Sequence, residues 1–219
     1  MGEKSVLETL TSTLQVRELY ATDDFIERQK SILSPYKGDL IQINERELAL
    51  LGEYTTNDTA LAIVSIPENT ELAVGPEEFV IMLDDIRDPG NLGTIIRTAD
   101  WYGITKIIAS EETADVYNSK VIQSSMGSFT RMHVYYTNLA EFLKENKVPV
   151  YGTFLNGENA HSFNYGKGGI VLVGNEANGI SEEVGKFVTH KITIPKVGKA
   201  ESLNAAIATA IVLDNIRRR

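Results

Sequence analysis

The sequence predicts an α/β protein: a parallel sheet covered by helices on both faces, preceded by a smaller α/β unit. Three observations predict it. Short apolar runs rich in β-branched residues alternate with helical segments of about ten residues from Phe79 onward, the pattern of strands buried on both faces. Charge and turn signals divide the chain near Gly75-Pro76. The composition, 42% hydrophobic and 23% charged over 219 residues, is that of a globular chain able to bury a sizeable core.

The elements follow in order. In residues 1–75, Lys4–Thr13 reads as a helix and Val16–Ala21 as a strand. Asp23–Leu33 reads as a helix capped by Thr22 or Asp23. Ile41–Ile43 is a short strand, Glu45–Leu51 a turn or two of helix, and Ala60–Ile66 an apolar strand. That alternation describes a small three-layer α/β unit. The polar stretch Pro67-Glu68-Asn69-Thr70-Glu71 leads to the Gly75-Pro76 turn, so the linker is expected between about 67 and 77 and the second domain over 76–219.

In the second domain, Phe79–Leu83, Lys106–Ala109, Arg131–Tyr135, Pro149–Thr153, Gly169–Val173 and Lys191–Ile194 read as strands. Leu92–Tyr102 has helical period, with Ile95, Ile96, Ala99 and Tyr102 on one side. Asn118–Ser125, Leu139–Asn146, Ser181–Phe187 and Ser202–Arg218 are the remaining helices.

Several classes are excluded. Cysteine is absent, which removes disulfides, thiolate metal sites and a cysteine nucleophile. The three histidines, at 133, 161 and 190, are too dispersed for a His-based metal cluster. No apolar run reaches the roughly 18 residues of a membrane span. The start lacks a signal peptide's pattern, so the cytoplasm is the expected location. The net charge is −9, which on its face counts against a polyanionic partner. The excess is uneven: residues 1–75 carry six basic and 13 acidic side chains, and the remainder is near balance at −2.

In parallel sheets ligands bind where strands run into helices, and three such loops stand out. The first is Asp84-Asp85-Ile86-Arg87-Asp88-Pro89-Gly90-Asn91-Leu92-Gly93, leading to Arg97. Its G-x-x-G spacing fails the dinucleotide fingerprint, which makes a dehydrogenase the least favoured function. Asn91 reads there as a helix N-cap. The second, Gly174-Asn175-Glu176-Ala177-Asn178-Gly179-Ile180-Ser181, puts a carboxylate at the end of an apolar strand, where an unpaired charge is costly. The third, Ile194-Pro195 through Glu201-Ser202-Leu203-Asn204, opens a helix with an alanine-rich start and Ser202 as its expected N-cap.

Together the three loops resemble the signature motifs of the SpoU (TrmH-like) RNA 2′-O-ribose methyltransferases of the SPOUT superfamily. The first motif is carried by Asn91-Leu92-Gly93-Thr94-Ile95-Ile96-Arg97-Thr98-Ala99 with Gly103. The second is carried by Gly174-Asn175-Glu176 with Gly179-Ile180, the third by Ile194-Pro195 with Glu201-Ser202-Leu203-Asn204. Ser124-Ser125-Met126-Gly127-Ser128 resembles a further family stretch. The likeness covers roughly residues 77–219.

The resemblance implies a knotted (trefoil) parallel-sheet methyltransferase domain, a homodimer, and S-adenosylmethionine held by the knotted loops. Gly174, Ile194 and Leu203, at spacings of 20 and 9, match the family's cofactor positions. Asn175 and Val197 belong to the same loops, and Thr153 and Leu155 are expected to line the pocket. Gly174 is expected to be a glycine for close approach to the cofactor. Arg97 is the motif-one arginine, the proposed base. Because a guanidinium normally stays protonated, the alternative role is to hold the ribose–phosphate and stabilise oxyanion charge. Asn91, Glu176, Ser202 and Asn204 are expected to position Arg97, the ribose and the cofactor, with Glu176 as the arginine's partner.

Residues 1–75 resemble the ribosomal-protein-like RNA-binding domain of many members. Those chains commonly carry a further, often basic, stretch before the point that Met1-Gly2-Glu3-Lys4-Ser5-Val6 resembles. The implied substrate is rRNA or tRNA, with no membrane and no metal partner. A non-catalytic RNA-binding or ribosome-assembly factor on the same fold, or methylation of a base, are the competing functions. Arg87, Arg97, Arg131, Lys196, Lys199 and the terminal Arg217-Arg218-Arg219 are the candidate phosphate contacts.

Overall fold

The computed structural model describes residues 3–52 and 57–218, which form two compact units. Met1, Gly2 and Arg219, invoked above, lie outside the described residues.

The first unit comprises Met1–Glu68 together with Met126–Arg131. Its described elements are α1 (Glu3–Leu10), β1 (Val16–Ala21), α2 (Asp23–Arg28), α3 (Lys30–Leu33), β2 (Asp39–Gln42), α4 (Glu45–Leu51) and β3 (Ala60–Val64). The three strands form one sheet in the order β2-β1-β3, with β1 parallel to β2 and antiparallel to β3. Leu19, Ala21 and Ala60 pack with Val6 and Phe25 in its core. The helix expected over Asp23–Leu33 breaks at Gln29, whose φ of −107° and ψ of 21° leave the helical region. Helix α4 begins with a capping box: the Asn44 side chain accepts from the Glu47 N–H, and the Glu47 carboxylate accepts from the Asn44 N–H.

The second unit comprises Asn69–Ser125 and Met132–Arg219. Residues 69–75, placed before the boundary by the turn at Gly75-Pro76, belong to this unit. Asn69 exchanges hydrogen bonds with the main chain of Tyr136, and Leu72 is buried in the core beneath the sheet. Burial of Leu72 overrides the turn signal.

The sheet of this unit contains β4 (Phe79–Asp84), β5 (Lys106–Ala109), β6 (His133–Tyr136), β7 (Val150–Asn159), β8 (Gly169–Gly174) and β9 (His190–Thr193). Their order is β6-β5-β4-β8-β7-β9 and every pairing is parallel, as expected. Val80, Met82, Ile170 and Leu172 face α7 (Leu139–Lys144) and α8 (Glu182–Gly185) through Leu139, Leu143 and Val184. The alternate residues Ile81, Leu83, Ile107 and Val171 are also fully buried, on the face opposite. Helices α5 (Pro89–Trp101), α6 (Ser119–Ser125) and α9 (Ala205–Arg217) complete the unit: α5 packs on both α6 and α9, and α9 on β8.

Strand β7 runs beyond the predicted Thr153. Thr153 and Glu158 both pair with Ile192, so residues 154–157 bulge out of the ladder. After β8 the chain crosses to the outer side of β7, forms β9, and returns to pack α9 against α5 and β8. All three motif loops lie at or beyond the carboxyl ends of β4, β8 and β9.

Candidate functional site

Strand β4 ends in two aspartates with separate tasks. Asp84 is buried, and its Oδ2 accepts the Ser181 N–H at 2.7 Å. Asp85 takes a left-handed backbone (φ 61°), and its carbonyl accepts Asn175 Nδ2 at 2.8 Å. The two aspartates therefore fasten the loop after β8 to the end of β4. Ser181 sits at the N-cap of α8 without a side-chain cap bond, so its N–H to Asp84 is the contact that holds it.

Helix α5 begins one turn earlier than expected. Its N-cap is Asp88, not Asn91: the Asp88 carboxylate accepts the Asn91 N–H at 2.8 Å, and Pro89 occupies the first helical position. That N–H, with the nearby Lys120, holds the Asp88 carboxyl below the usual aspartate range. The correction frees the Asn91 side chain. Its Nδ2 donates to Glu176 Oε1 at 2.5 Å, and its Oδ1 accepts Asn204 Nδ2 at 2.8 Å. One amide thus joins a residue from each of the other two motifs. Two residues on, Gly93 lets α5 approach α6, because a Cβ there would lie 2.0 Å from Ser124 Oγ. The glycine of the first motif thus packs against the serine of the Ser124–Ser128 stretch.

Gly174 is required by its own loop. A Cβ at this position would lie 2.3 Å from the Gly179 carbonyl carbon and from the Ile180 nitrogen. The glycine is thus needed for a close approach between two stretches of backbone within the loop. Asn175 and Gly179 exchange main-chain hydrogen bonds, and Asn175 Oδ1 accepts the N–H groups of Ala177 and Asn178. This tight turn presents Glu176, half-buried, to Asn91.

Helix α9 is capped by Asn204, not Ser202. Asn204 Oδ1 accepts the N–H groups of Ala206 and Ile207 while its Nδ2 reaches Asn91. The geometry of the relay is therefore tied to the start of two helices. Ser202 is exposed and makes no hydrogen bond among the described residues.

The residues expected to hold a cofactor lie in β7, at the end of β8 and on the loop after β9. Thr153 Oγ1 donates to the Leu172 carbonyl of β8 at 3.2 Å, and Ile194 is half-buried. Leu155 is 74% exposed, Leu203 46%, and Val197 fully so. Three large apolar side chains, left uncovered in the β7 bulge and on the loop beyond β9, suit the face of a flat heterocycle. The main-chain groups of the same loops suit its polar edge.

Arg97 is exposed and its side chain makes no hydrogen bond or ion pair among the described residues. Glu176 is not its partner. Six residues separate Arg97 from Asn91, about 9 Å along the axis and about 120° round it, so the two side chains leave different faces of α5. Of the other candidate cations, Arg87 pairs with Asp85 at 2.6 Å, Arg131 with Glu8 at 2.5 Å, and Arg218 with Asp214 at 2.6 Å. Lys196 and Lys199 are exposed and carry no such partner among the described residues. No group of three or more metal-ligating side chains occurs among the described residues, and no helix there is long and apolar enough to cross a membrane.

Sequence reasoning missed Asp84, Asp85 and Asp88. The signal was available for the first pair, since they are carboxylates at the end of an apolar strand, the criterion that singled out Glu176.

Comparison with known proteins agrees with the motifs. The model of the SpoU rRNA Methylase family matches residues 78–214. The chain is 32% identical over 222 residues to the 23S rRNA (guanosine(2553)-2'-O)-methyltransferase RlmP of Bacillus subtilis (strain 168), covering 99% of this chain and 86% of that protein. Among solved structures, a TrmH-family RNA methyltransferase from Porphyromonas gingivalis superposes with a TM-score of 0.89 and 34% identity, over 99% of this chain and 88% of that one. The SpoU methyltransferase AviRb from Streptomyces viridochromogenes, in complex with AdoMet, superposes with a TM-score of 0.88 and 25% identity, over 100% of this chain and 88% of that one.

Proposed function

The chain belongs to the SpoU rRNA methylase family, and on that footing we propose that it methylates a ribose 2′-hydroxyl of large-subunit ribosomal RNA. It is an RNA 2′-O-ribose methyltransferase, and its cofactor is S-adenosylmethionine. When bound, that cofactor would supply a methyl carbon on a sulfonium; a 2′-oxygen bonding to it in line would release S-adenosylhomocysteine as the leaving group and the hydroxyl proton to water.

The observation that carries the reading is the hydrogen-bonded series Glu176–Asn91–Asn204, which unites three motif loops. In-line displacement is governed by alignment, which is worth about 7–11 kcal/mol in well-oriented systems. The relay supplies that alignment by fixing the starts of α5 and α9 relative to the turn after β8. Thr153, Leu155, Gly174, Asn175, Ile194, Val197 and Leu203 hold the cofactor in this reading, the apolar members against its base. Arg97 is the catalytic residue: its unpaired guanidinium is available for the ribose–phosphate and for charge that develops on the 2′-oxygen. Ser202 and Asn204 position the ribose and the relay.

The first unit, Met1–Glu68 with Met126–Arg131, serves in this reading to grip RNA. The protein works as a homodimer in the cytoplasm. Helix α9 supports the dimer, because it is apolar on nearly all sides. Thr209, Val212, Leu213 and Ile216 are buried, while Ile207 is 51% exposed and Ala208, Ala210 and Ile211 are half-covered, and such a helix is expected to be enclosed.

Mapping ribose methylation in the ribosomal and transfer RNA of cells lacking this gene tests the reading. One 2′-O-methyl mark should vanish from 23S rRNA and return with the wild-type gene but not with Arg97→Ala. An unchanged set of ribose marks in rRNA would overturn it.

A further inference from the structure

Asp85 is one of two non-glycine residues with a positive φ among the described residues, at 61°. An L side chain there crowds its own backbone, and such a conformation persists where the surroundings over-determine it. The surroundings here are two buried hydroxyls from the loop after β5. Ser110 Oγ accepts the Asp85 N–H at 3.0 Å, and Thr113 Oγ1 accepts the Ile86 N–H at 3.2 Å. The two hydroxyl oxygens lie 3.2 Å apart, and Thr113 Oγ1 also donates to the Leu83 carbonyl at 3.4 Å. The main chain of the same loop closes the contact: the Ser110 N–H donates to the Leu83 carbonyl and the Ala114 N–H to the Ile86 carbonyl, each at 2.9 Å. The Ile86 N–H and the Asp85 carbonyl are the two ends of one planar peptide, so the bond to Thr113 also sets where that carbonyl points. It points at Asn175 Nδ2, 2.8 Å away, and Asn175 Oδ1 in turn holds the N–H groups of Ala177 and Asn178 in the turn that carries Glu176.

We propose that Ser110, Thr113 and Asp85 are positioning residues for methyl transfer: they set the peptide between Asp85 and Ile86, which through Asn175 fixes where Glu176 meets Asn91. This deepens the methyltransferase reading and rests on it for the role of Glu176. The Asp85 carboxylate is not the active part. It pairs with the exposed Arg87, and pairs of that kind are worth little. Its Oδ2 lies 3.4 Å from Asn175 Nδ2, against 2.8 Å for the carbonyl, so the stronger bond of the amide is to the main chain. What position 85 must supply is a left-handed backbone, which glycine adopts freely, alanine less readily and valine least. What position 113 must supply is an oxygen that accepts from Ile86 while donating to Leu83, which serine keeps and valine lacks.

The test is steady-state methyl transfer to unmodified 23S rRNA at saturating S-adenosylmethionine, with amide hydrogen exchange of the 174–181 loop alongside. At position 85, kcat should fall in the order Gly, Ala, Val, with Asp85→Val down about tenfold, the worth of one hydrogen bond. Thr113→Val should lose about three- to tenfold in kcat with KM for RNA moved by less than about twofold, and Thr113→Ser should recover most of the loss. In a Glu176→Ala background, Asp85→Val should cost less than about twofold more, because its route to the chemistry ends at Glu176. Exchange of the Gly179 and Ser181 amides should quicken in Asp85→Val and Thr113→Val but not in Asp85→Gly. The Thr113 pair tests the proposal on its own should Asp85→Val fail to fold. Wild-type kcat in both valine variants would overturn the proposal, as would Asp85→Gly as slow as Asp85→Val, which would assign the role to the carboxylate. So would a full cost of Asp85→Val in the Glu176→Ala background, or a loss confined to Tm. If the wild-type protein transfers no methyl group while exchange follows the stated order, the function fails and the hold on the loop stands. If methyl transfer is intact and neither kcat nor exchange follows that order, the positioning role alone fails.

Discussion

Exchanging Asn91 for aspartate perturbs one bond of the relay and spares the other. An aspartate oxygen can still accept Asn204 Nδ2, but it cannot donate to Glu176. The bond lost is a hydrogen bond to a charged group, about 1.5–3 kcal/mol. The new carboxylate also faces the Glu176 carboxylate, which costs about 1–4 kcal/mol at 4 Å between aqueous and surface-like dielectric. Glu176 is half-buried, so water and side-chain rotation relieve part of this. A net cost of about 2–4 kcal/mol remains, a fall of roughly 30- to 700-fold in kcat/KM, with a lowered Tm. Glu176→Gln should do less, because its amide oxygen still accepts from Asn91. Combining Asn91→Asp with Glu176→Gln reverses donor and acceptor, since the introduced glutamine amide can donate to the introduced aspartate carboxylate. If Glu176 acts by position, the double variant should regain at least about tenfold over Asn91→Asp. The assay is methyl transfer to RNA at pH 7.5, with calorimetric titration of S-adenosylmethionine alongside. Wild-type kcat/KM and Tm in Asn91→Asp would refute the reasoning, and a double variant no better than Asn91→Asp would refute the purely positional role.

The remaining expectations follow from single contacts. Arg97→Ala should abolish methyl transfer while calorimetry finds the cofactor bound about as tightly as before, because Arg97 lies on α5, outside the segments assigned to the cofactor; loss of binding would contradict this. Gly174→Ala forces a Cβ to within 2.3 Å of the Gly179–Ile180 backbone, so cofactor binding should be lost and stability should fall by about 1–3 kcal/mol in a denaturant titration. Asp88→Ala removes the cap of α5 and should cost about 1 kcal/mol at pH 7. The Asp88 pKa is depressed in the folded protein, chiefly by the Asn91 N–H. Its contribution is therefore full above about pH 4 and is lost as pH falls through the lowered folded value. The stability gap between wild type and Asp88→Ala should close in acid, and a gap that widens there would contradict the assignment.

The sheet was legible because its period is a property of local sequence. Phe79–Leu83 and Gly169–Val173 are too short and too β-branched for anything but buried strands, and their parallel pairing follows from the helices between them. The cluster of motif residues was legible only through the family's spacing. Nothing local distinguishes Asn91, a plausible cap, from Asp88 three residues earlier. Which of the two caps α5 depends on where the Asn91 side chain is drawn, and that is settled by Glu176 and Asn204, 85 and 113 residues away in sequence. Gly174 was singled out as a site of close backbone approach, but the loop that folds back on it was not legible, since that loop is held by Asp84 and Asp85 at the end of a different strand. The division between Glu68 and Asn69 falls inside the expected linker of 67–77, at its start and not at the Gly75-Pro76 turn, because a turn dipeptide is a local signal and burial of Leu72 is not. The charge puzzle also narrows. Arg87, Arg131 and Arg218 carry their own carboxylates, which leaves Arg97, Arg217, Lys196 and Lys199 without one, of the candidates among the described residues.

The central claim is that this chain places a methyl group on a ribose oxygen of ribosomal RNA. Incubating the purified protein with S-adenosylmethionine bearing a deuterated methyl and unmodified 23S rRNA, followed by nuclease digestion and mass spectrometry, tests it most directly. The account predicts one labelled nucleoside whose label stays with the sugar fragment, and none with Arg97→Ala. Label on a base fragment, or no labelled nucleoside from the wild-type protein, would contradict it.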